Sequence, residues 1–291
     1  MQGGHRRATL DRMAGSPHLQ ELGEFLKVRR AQLTPAQVGL PEYGHSRRRV
    51  PGLRREEVAQ LAAISTDYYL RIEQGRLAPS AHVLRALIRE LRLDTDQTAY
   101  VERLVAQADR AAAPRRRAPR PKVHPHLTRL VDQLAGTPAM VFGPRLDILA
   151  WNDLAAALLL DFGQVPEQER NYVRMVFTNP AMRALYPDWE DVGRTCVEVL
   201  RMEAGTNPSD PALSALVGDL SILDEDFRTW WAQYRVAHQD FGAKRIAHPV
   251  VGDLTLDWDT FHYAGSPDQQ LVLWSAEPAS ESEDRLALLL R

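Results

Sequence analysis

Residues 47–76 read RRRVPGLRREEVAQLAAISTDYYLRIEQGR. The pattern predicts two short helices, Arg55 to Ala62 and Ser65 to Gln74, with a tight turn between them. Val58 and Ala62 are four apart in the first helix, Tyr69 and Ile72 three apart in the second, so each helix carries one buried stripe. Ile64 falls at the elbow. Ser65 suits an N-cap and Gly75 the position just past the last turn. Thr66, Asp67, Leu70 and Arg71 are then left on the outer face of the second helix. A helix presented in this way lies in a DNA major groove and reads base edges with its exposed N-terminal side chains. Thr66, Asp67 and Arg71 are the candidate base readers, with Arg55 and Tyr68 near the backbone at the groove rim. Arg54 joins this DNA-binding set. Arg47, Arg48 and Arg49 enter the pair directly, and arginine suits both phosphates and a narrow minor groove.

Working outward, Leu19 to Leu33 is a helix with Leu22, Phe25 and Leu26 at helical spacing. Ser80 to Leu91 and Asp94 to Ala108 are two more, which makes a five-helix bundle over residues 18–110. Residues 1–17 are polar and expected to be disordered. Residues 111–124, AAAPRRRAPRPKVH, form a Pro/Arg-rich linker that cannot build a core.

The chain has 291 residues, 44% hydrophobic and 25% charged, which suits about two soluble domains. Its formal charge of −2 hides an asymmetry. Residues 1–122 hold 23 Lys and Arg against 13 Asp and Glu, a net of +10; residues 123–291 hold 13 against 25, a net of −12. A basic half beside an acidic one points to a polyanion partner, double-stranded DNA, for the first half only. The single cysteine, Cys196, excludes an internal disulfide. The N-terminus lacks a signal-peptide core and the longest apolar run is too short for a bilayer, so no membrane partner and a cytoplasmic address are expected.

The second half, residues 125–291, alternates differently. A hairpin, Ala139 to Phe142 and Asp147 to Trp151, turns at Gly143-Pro144. Helical stretches follow, and strands at 244–250, 255–261 and 270–275 close the domain before a final helix. The expected result is an α+β domain with helices inserted between the second and third of about five strands. All six tryptophans lie in this half. Aromatics fill cores, but they also wall apolar ligand pockets with a few placed polar groups. The candidate lining is Trp151, Phe177, Trp230, Trp231, Tyr234 and Trp258, enclosed by the sheet and the 227–234 helix. Arg174, Tyr234, His238 and His248 are the polar candidates for a carboxylate or hydroxyl. No metal-ligand spacing is visible: Asp257 and Asp259 share one strand face while His262 has the opposite parity. No catalytic motif or phosphate loop is visible either, and Cys196 falls on an apolar helix stripe, so neither an enzyme nor a cofactor is expected.

The order V-A-x-x-A-x-I-S…Y-x-x-I-E-x-G-R resembles the Xre/Cro type of helix-turn-helix. The longer string from Arg47 to Arg76 resembles the MmyB-like regulators, a family of bacterial transcription factors. FTNPAMRALYPDWE, AKRIAHPVVGDLTLDW and LVLWSAEP carry the resemblance through the second half. Ala63 departs from the motif, where glycine is frequent; it makes the turn freely at negative φ and at modest strain otherwise. The resemblance implies two domains: an all-α helix-turn-helix bundle, then an α+β PAS-like domain for a small hydrophobic, fatty-acid-like effector. A homodimer on a near-palindromic site is expected, since one reading helix covers a half-site. The alternative is a second domain that serves only dimerisation or partner docking.

Overall fold

The computed structural model describes residues 16–40, 52–110 and 122–290. Arg47, Arg48 and Arg49 lie outside the described residues, as do the expected tail up to residue 15 and the linker over 111–121. The chain groups into two compact units. One is built on the N-terminal helices, with the short segments Ala204–Pro211 and Ala232–Ala237 assigned to it; the other takes most of the C-terminal half.

The first unit holds α1 (Pro17–Gln32), α2 (Arg55–Leu61), α3 (Thr66–Glu73), α4 (Ala81–Glu90) and α5 (Thr95–Arg110). Helix α1 packs on α3 and α5, and α2 packs on α3. Leu19, Leu22, Phe25, Leu26, Val58, Tyr69, Ile72, Leu87 and Tyr100 are buried between them. The close approach of α1 to α3 depends on glycine. A Cβ on Gly23 would stand 2.3 Å from the Glu73 carbonyl oxygen, and one on Gly75 would stand 2.8 Å from the Gln20 Cα.

The helix ends follow from capping chemistry. Ser65 Oγ accepts from the Tyr68 N–H (3.1 Å) and Ser80 Oγ from the Val83 N–H (3.3 Å). At the end of α2 the Ala63 N–H donates to Gln60 O (3.2 Å) and the Ile64 N–H to Ala59 O (2.9 Å). That double bond is a Schellman motif, and it needs a left-handed residue at the position Ala63 occupies. Ala63 accordingly takes φ +53°, the strained alternative of the two the sequence left open. Gly75 fills the same position after α3 (φ +64°) and Arg92 after α4 (φ +51°).

The second unit is built on a five-stranded antiparallel sheet: β1 (Ala139–Phe142), β2 (Ile148–Trp151), β3 (Phe241–His248), β4 (Gly252–His262) and β5 (Gln270–Ser275), in the order β2-β1-β5-β4-β3. Helix α6 (Pro125–Gln133) precedes β1. Between β2 and β3 come α7 (Asp153–Leu158), α8 (Tyr172–Thr178), α9 (Pro180–Leu185), α10 (Trp189–Ala204), α11 (Pro211–Leu223) and α12 (Glu225–Ala232). Helix α13 (Glu281–Leu288) follows β5 and packs on β4. Strand alternation sorts the faces. Ala139, Val141 and Leu271 join Leu127 and Val131 of α6 in one cluster. Met140 and Phe142 of β1 and Val272 and Trp274 of β5 have the opposite parity and are also buried. Asn152 ties the sheet to α7: its Oδ1 accepts from Ala155 N (2.9 Å) and Ala139 N (3.1 Å), and its Nδ2 donates to Leu134 O and Thr137 O (2.7 Å each). The expected α+β unit, with helices between its second and third strands, is therefore present. No described helix is long and apolar enough to cross a membrane.

Candidate functional site

The N-terminal end of α3 is exposed, as a reading helix requires. Asp67 and Arg71 are 68% and 59% exposed and pair across one turn at 2.9 Å. Such a pair is worth about 0.3–0.5 kcal/mol, so it is given up at little cost. Thr66 and Tyr68 are half-buried beside them, and Arg54 is exposed at the N-cap of α2.

Beneath this surface lies a buried ionic triad that the sequence reading missed. Glu73, with its side chain 1% exposed, accepts from Arg30 Nε through Oε1 and from Arg55 Nε through Oε2, both at 2.6 Å. Arg30 Nη1 also donates to Leu53 O at 2.7 Å. Arg55, expected at the groove rim, is thus held by Glu73 while its side chain stays 42% exposed. The triad joins α1, α2 and α3 and fixes the angle at which α3 is presented. Burial lowers the Arg30 pKa, and the hydrogen bond and charge of Glu73 more than offset it, leaving the guanidinium above its usual value. The signal was available: Tyr69, Ile72 and Glu73 share a stripe at i, i+3 and i+4, so the acid sits on the buried face.

The second unit contains a cavity of about 60 Å³. One wall is the sheet face bearing Phe142, Lys244, Trp258, Thr260, Val272 and Trp274. The other is α8 and α10, through Tyr172, Thr195, Cys196 and Val199. The wall expected from the 227–234 helix is not there, because its aromatic face is turned into a separate cluster. Phe177 meets Trp189 (5.5 Å), Phe227 (5.2 Å) and Trp230 (5.9 Å) edge to face. Trp231 stacks on Phe227 at 5.9 Å, under Arg201.

Of the expected pocket residues, then, Trp258 lines the cavity and the others lie elsewhere. Trp151 packs on Phe162, with Arg170 over its ring. Arg174 pairs with Asp219 at 2.6 Å. Tyr234 follows α12 at φ +53°. His238 meets Asp240 at 3.2 Å. His248 is buried, with Nδ1 accepting from Val250 and Val251 N–H and Nε2 donating to Ala157 O at 3.0 Å.

The charged group on the cavity is Lys244. Its Nζ lies 5.2 Å from the Trp258 ring and 5.4 Å from the Tyr172 ring, with the Tyr172 hydroxyl at 3.4 Å. Among the described residues no carboxylate pairs with it. Burial lowers its pKa. Burial also raises the Tyr172 phenol well above its usual range and pushes the Cys196 thiol up to about 11, against the pull of the Lys244 charge. Trp274 lines the same cavity, and its Nε1–H is buried without an acceptor among the described residues. An apolar chamber with one ammonium on its wall fits the polar end of an otherwise apolar molecule.

Two families match the chain: the Helix-turn-helix domain over residues 21–101 and the MmyB-like transcription regulator ligand binding domain over residues 123–289. No curated protein matches it. The first match runs from within α1 through α4 to the start of α5; the second covers all five strands and the cavity between them and α8 and α10. The second match alone takes in more than half of the residues, and the chain belongs to the MmyB-like transcription regulators, joining a DNA-binding helix-turn-helix domain to a ligand-binding domain.

Proposed function

We infer that this protein is a homodimeric, sequence-specific regulator that reads its operator with α3 and answers to a small hydrophobic, fatty-acid-like effector held in the second unit. The carrying observation is Lys244: an ammonium on an apolar cavity, walled by Trp258 and Tyr172, with no carboxylate partner among the described residues. Sparing the desolvation cost of an unpaired ammonium favours an effector with a carboxylate head. The five strands, with helices inserted between β2 and β3, support the PAS-like description of the unit.

The cavity's size bears on how such a switch would work. Pockets for small molecules span about 300–1,000 Å³, and this one has about 60 Å³. An acyl chain therefore enters only if α8 and α10 move off the sheet. Unequal binding to closed and open forms is what a ligand needs to change operator affinity. Coupling of ordinary size, about 1–3 kcal/mol, changes it roughly 5- to 150-fold. The small volume is also the one observation that favours the other reading, a second unit that only docks or dimerises.

Dodecanoate and dodecanol, titrated while tryptophan fluorescence is followed, separate the two. The carboxylate is expected to bind the wild type more tightly than the alcohol, Lys244→Met to erase that preference, and dodecanoate to shift operator affinity. Failure of both probes to bind would promote the docking module.

A further inference from the structure

A second site lies outside the cavity, on its rim. His238 and Asp240 sit in the segment that leads into β3, and His262 is the last residue of β4. Their potential ligand atoms all lie within 4.8 Å of one another. His238 Nε2 is 3.2 Å from Asp240 Oδ2, and His262 Nε2 is 3.0 Å from Asp240 Oδ1. The two imidazoles are parallel, 5.9 Å apart and 5° from coplanar orientation. Ligands at the usual zinc distances, about 2.0–2.1 Å, stand roughly 3.3 Å apart around a tetrahedral ion. The two histidine–aspartate separations are already close to that value, and the remaining one, within 4.8 Å, is closed by rotation of the exposed imidazoles.

The scaffold is in place before any ion arrives. The Asp240 carbonyl accepts from the Thr260 N–H at 2.5 Å, which binds the incoming segment to β4. His262 is itself in register with Gln270 of β5. Sites held on paired backbone are positioned better than sites on free loops. Sequence parity argued against a metal on β4 alone, and the structure supplies the missing ligands from a segment 22 residues away.

We propose that His238, Asp240 and His262 bind a divalent transition ion of the zinc class, and that the ion braces the rim of the effector cavity. Two neutral imidazoles and one carboxylate suit zinc or copper over magnesium or calcium, which prefer all-oxygen sets. On binding, each imidazole gives up the Nε2 proton that it donates to Asp240 and takes the neutral form protonated on Nδ1, so that Nε2 is free to ligate and two hydrogen bonds to Asp240 give way to three bonds to the ion. The bracing follows from adjacency. Gln239, between two of the ligands, lines the cavity, and so does Thr260, two residues before the third. Tying His238 and Asp240 to His262 therefore pins both rim residues. Ion binding does not rest on the effector reading; only the use made of the braced rim does.

The test uses untagged full-length protein, stripped with a chelator and titrated with Zn²⁺ by calorimetry, with Mg²⁺ as a control. One equivalent should bind, with affinity lowered at least about tenfold in His262→Ala and His238→Ala. His126→Ala should leave this binding unchanged; His124 and His126, with rings 4.9 Å apart, are another close histidine pair among the described residues. All three variants alter half-buried or exposed side chains and should keep the wild-type melting profile. Zn²⁺ should also slow backbone hydrogen exchange at 238–240 and 260–262. Absence of Zn²⁺ binding, equal binding in the His262 and His238 variants, or equal Mg²⁺ binding would overturn the site. Binding without slowed exchange would overturn the bracing.

Discussion

Glu73→Gln is the most informative single change in the first unit. Glu73 lies between two cations of unequal exposure, the Arg30 side chain at 12% and the Arg55 side chain at 42%. Breaking a buried ion pair by removing one partner costs about 3–5 kcal/mol, because the other charge is left uncompensated. Arg55 is open enough to turn into water when Glu73 is neutralised. Arg30 is not, and it also keeps its bond to Leu53 O. Only one stranded charge counts, so the expected loss is at the lower end, about 3 kcal/mol. With a urea slope of about 1–3 kcal/mol per molar, the midpoint falls by roughly 1–3 M. The tryptophans supply an internal reference. All six belong to the second unit, so their fluorescence follows that unit while circular dichroism reports the helices of both. The dichroism transition of the first unit should move, and the fluorescence transition should serve as the unshifted reference. Replacing Arg30 and Glu73 together by methionine and leucine should recover most of the loss. A cost below about 1 kcal/mol for Glu73→Gln would refute the claim that the triad is buried and mutually dependent.

Three further outcomes follow from particular residues. Ala63→Gly should stabilise the first unit by about 0.5–1 kcal/mol in the same urea titration, because a left-handed alanine costs about 1–2 kcal/mol and glycine's extra chain entropy returns part of it; destabilisation would deny the strained turn. Arg71→Ala should cost about 1–3 kcal/mol at one operator position and spare the others, as read by a panel of single-base variants; uniform weakening would make Arg71 a phosphate contact. Cys196, with its thiol pushed up to about 11, should react with iodoacetamide at pH 8 at least a hundredfold more slowly folded than in urea, and its rate should climb about tenfold per pH unit towards that value. Rapid alkylation of the folded protein would show that α10 is open.

What could be read in the sequence was local. The stripes of α2 and α3, the Ser65 and Ser80 caps, the β1–β2 hairpin and the strand over 255–261 each lie within about ten residues, where helical or strand periodicity speaks directly. The cavity was not local. Its walls bring together Phe142, Tyr172, Cys196, Lys244, Trp258 and Trp274, each from a different element. The aromatic count drew attention to Trp230 and Trp231, which pack into their own cluster. The better clue was parity: Lys244 shares a strand face with the buried Ile246 and His248, so a lysine stood where an apolar residue was due. The inward side of Glu73 was legible from its stripe with Tyr69 and Ile72, but its partners were not local, since Arg30 lies 43 residues away on α1 and Arg55 18 residues away on α2.

The order β2-β1-β5-β4-β3 has a consequence for how the protein is made. Strand β1 is complete at residue 142, yet the partner that places it centrally in the sheet, β5, is finished only at residue 275. Helices α1 to α5 end at residue 110, about 165 residues earlier. At synthesis rates of about 5–20 residues per second, that gap lasts roughly 8–33 seconds. During it a nascent chain carries its N-terminal helices without a completed sheet, and so without a finished ligand-binding unit. The basic half can meet DNA while the acidic half is still on the ribosome, and every new copy passes through an interval in which its helix-turn-helix is complete and its ligand-binding unit is not.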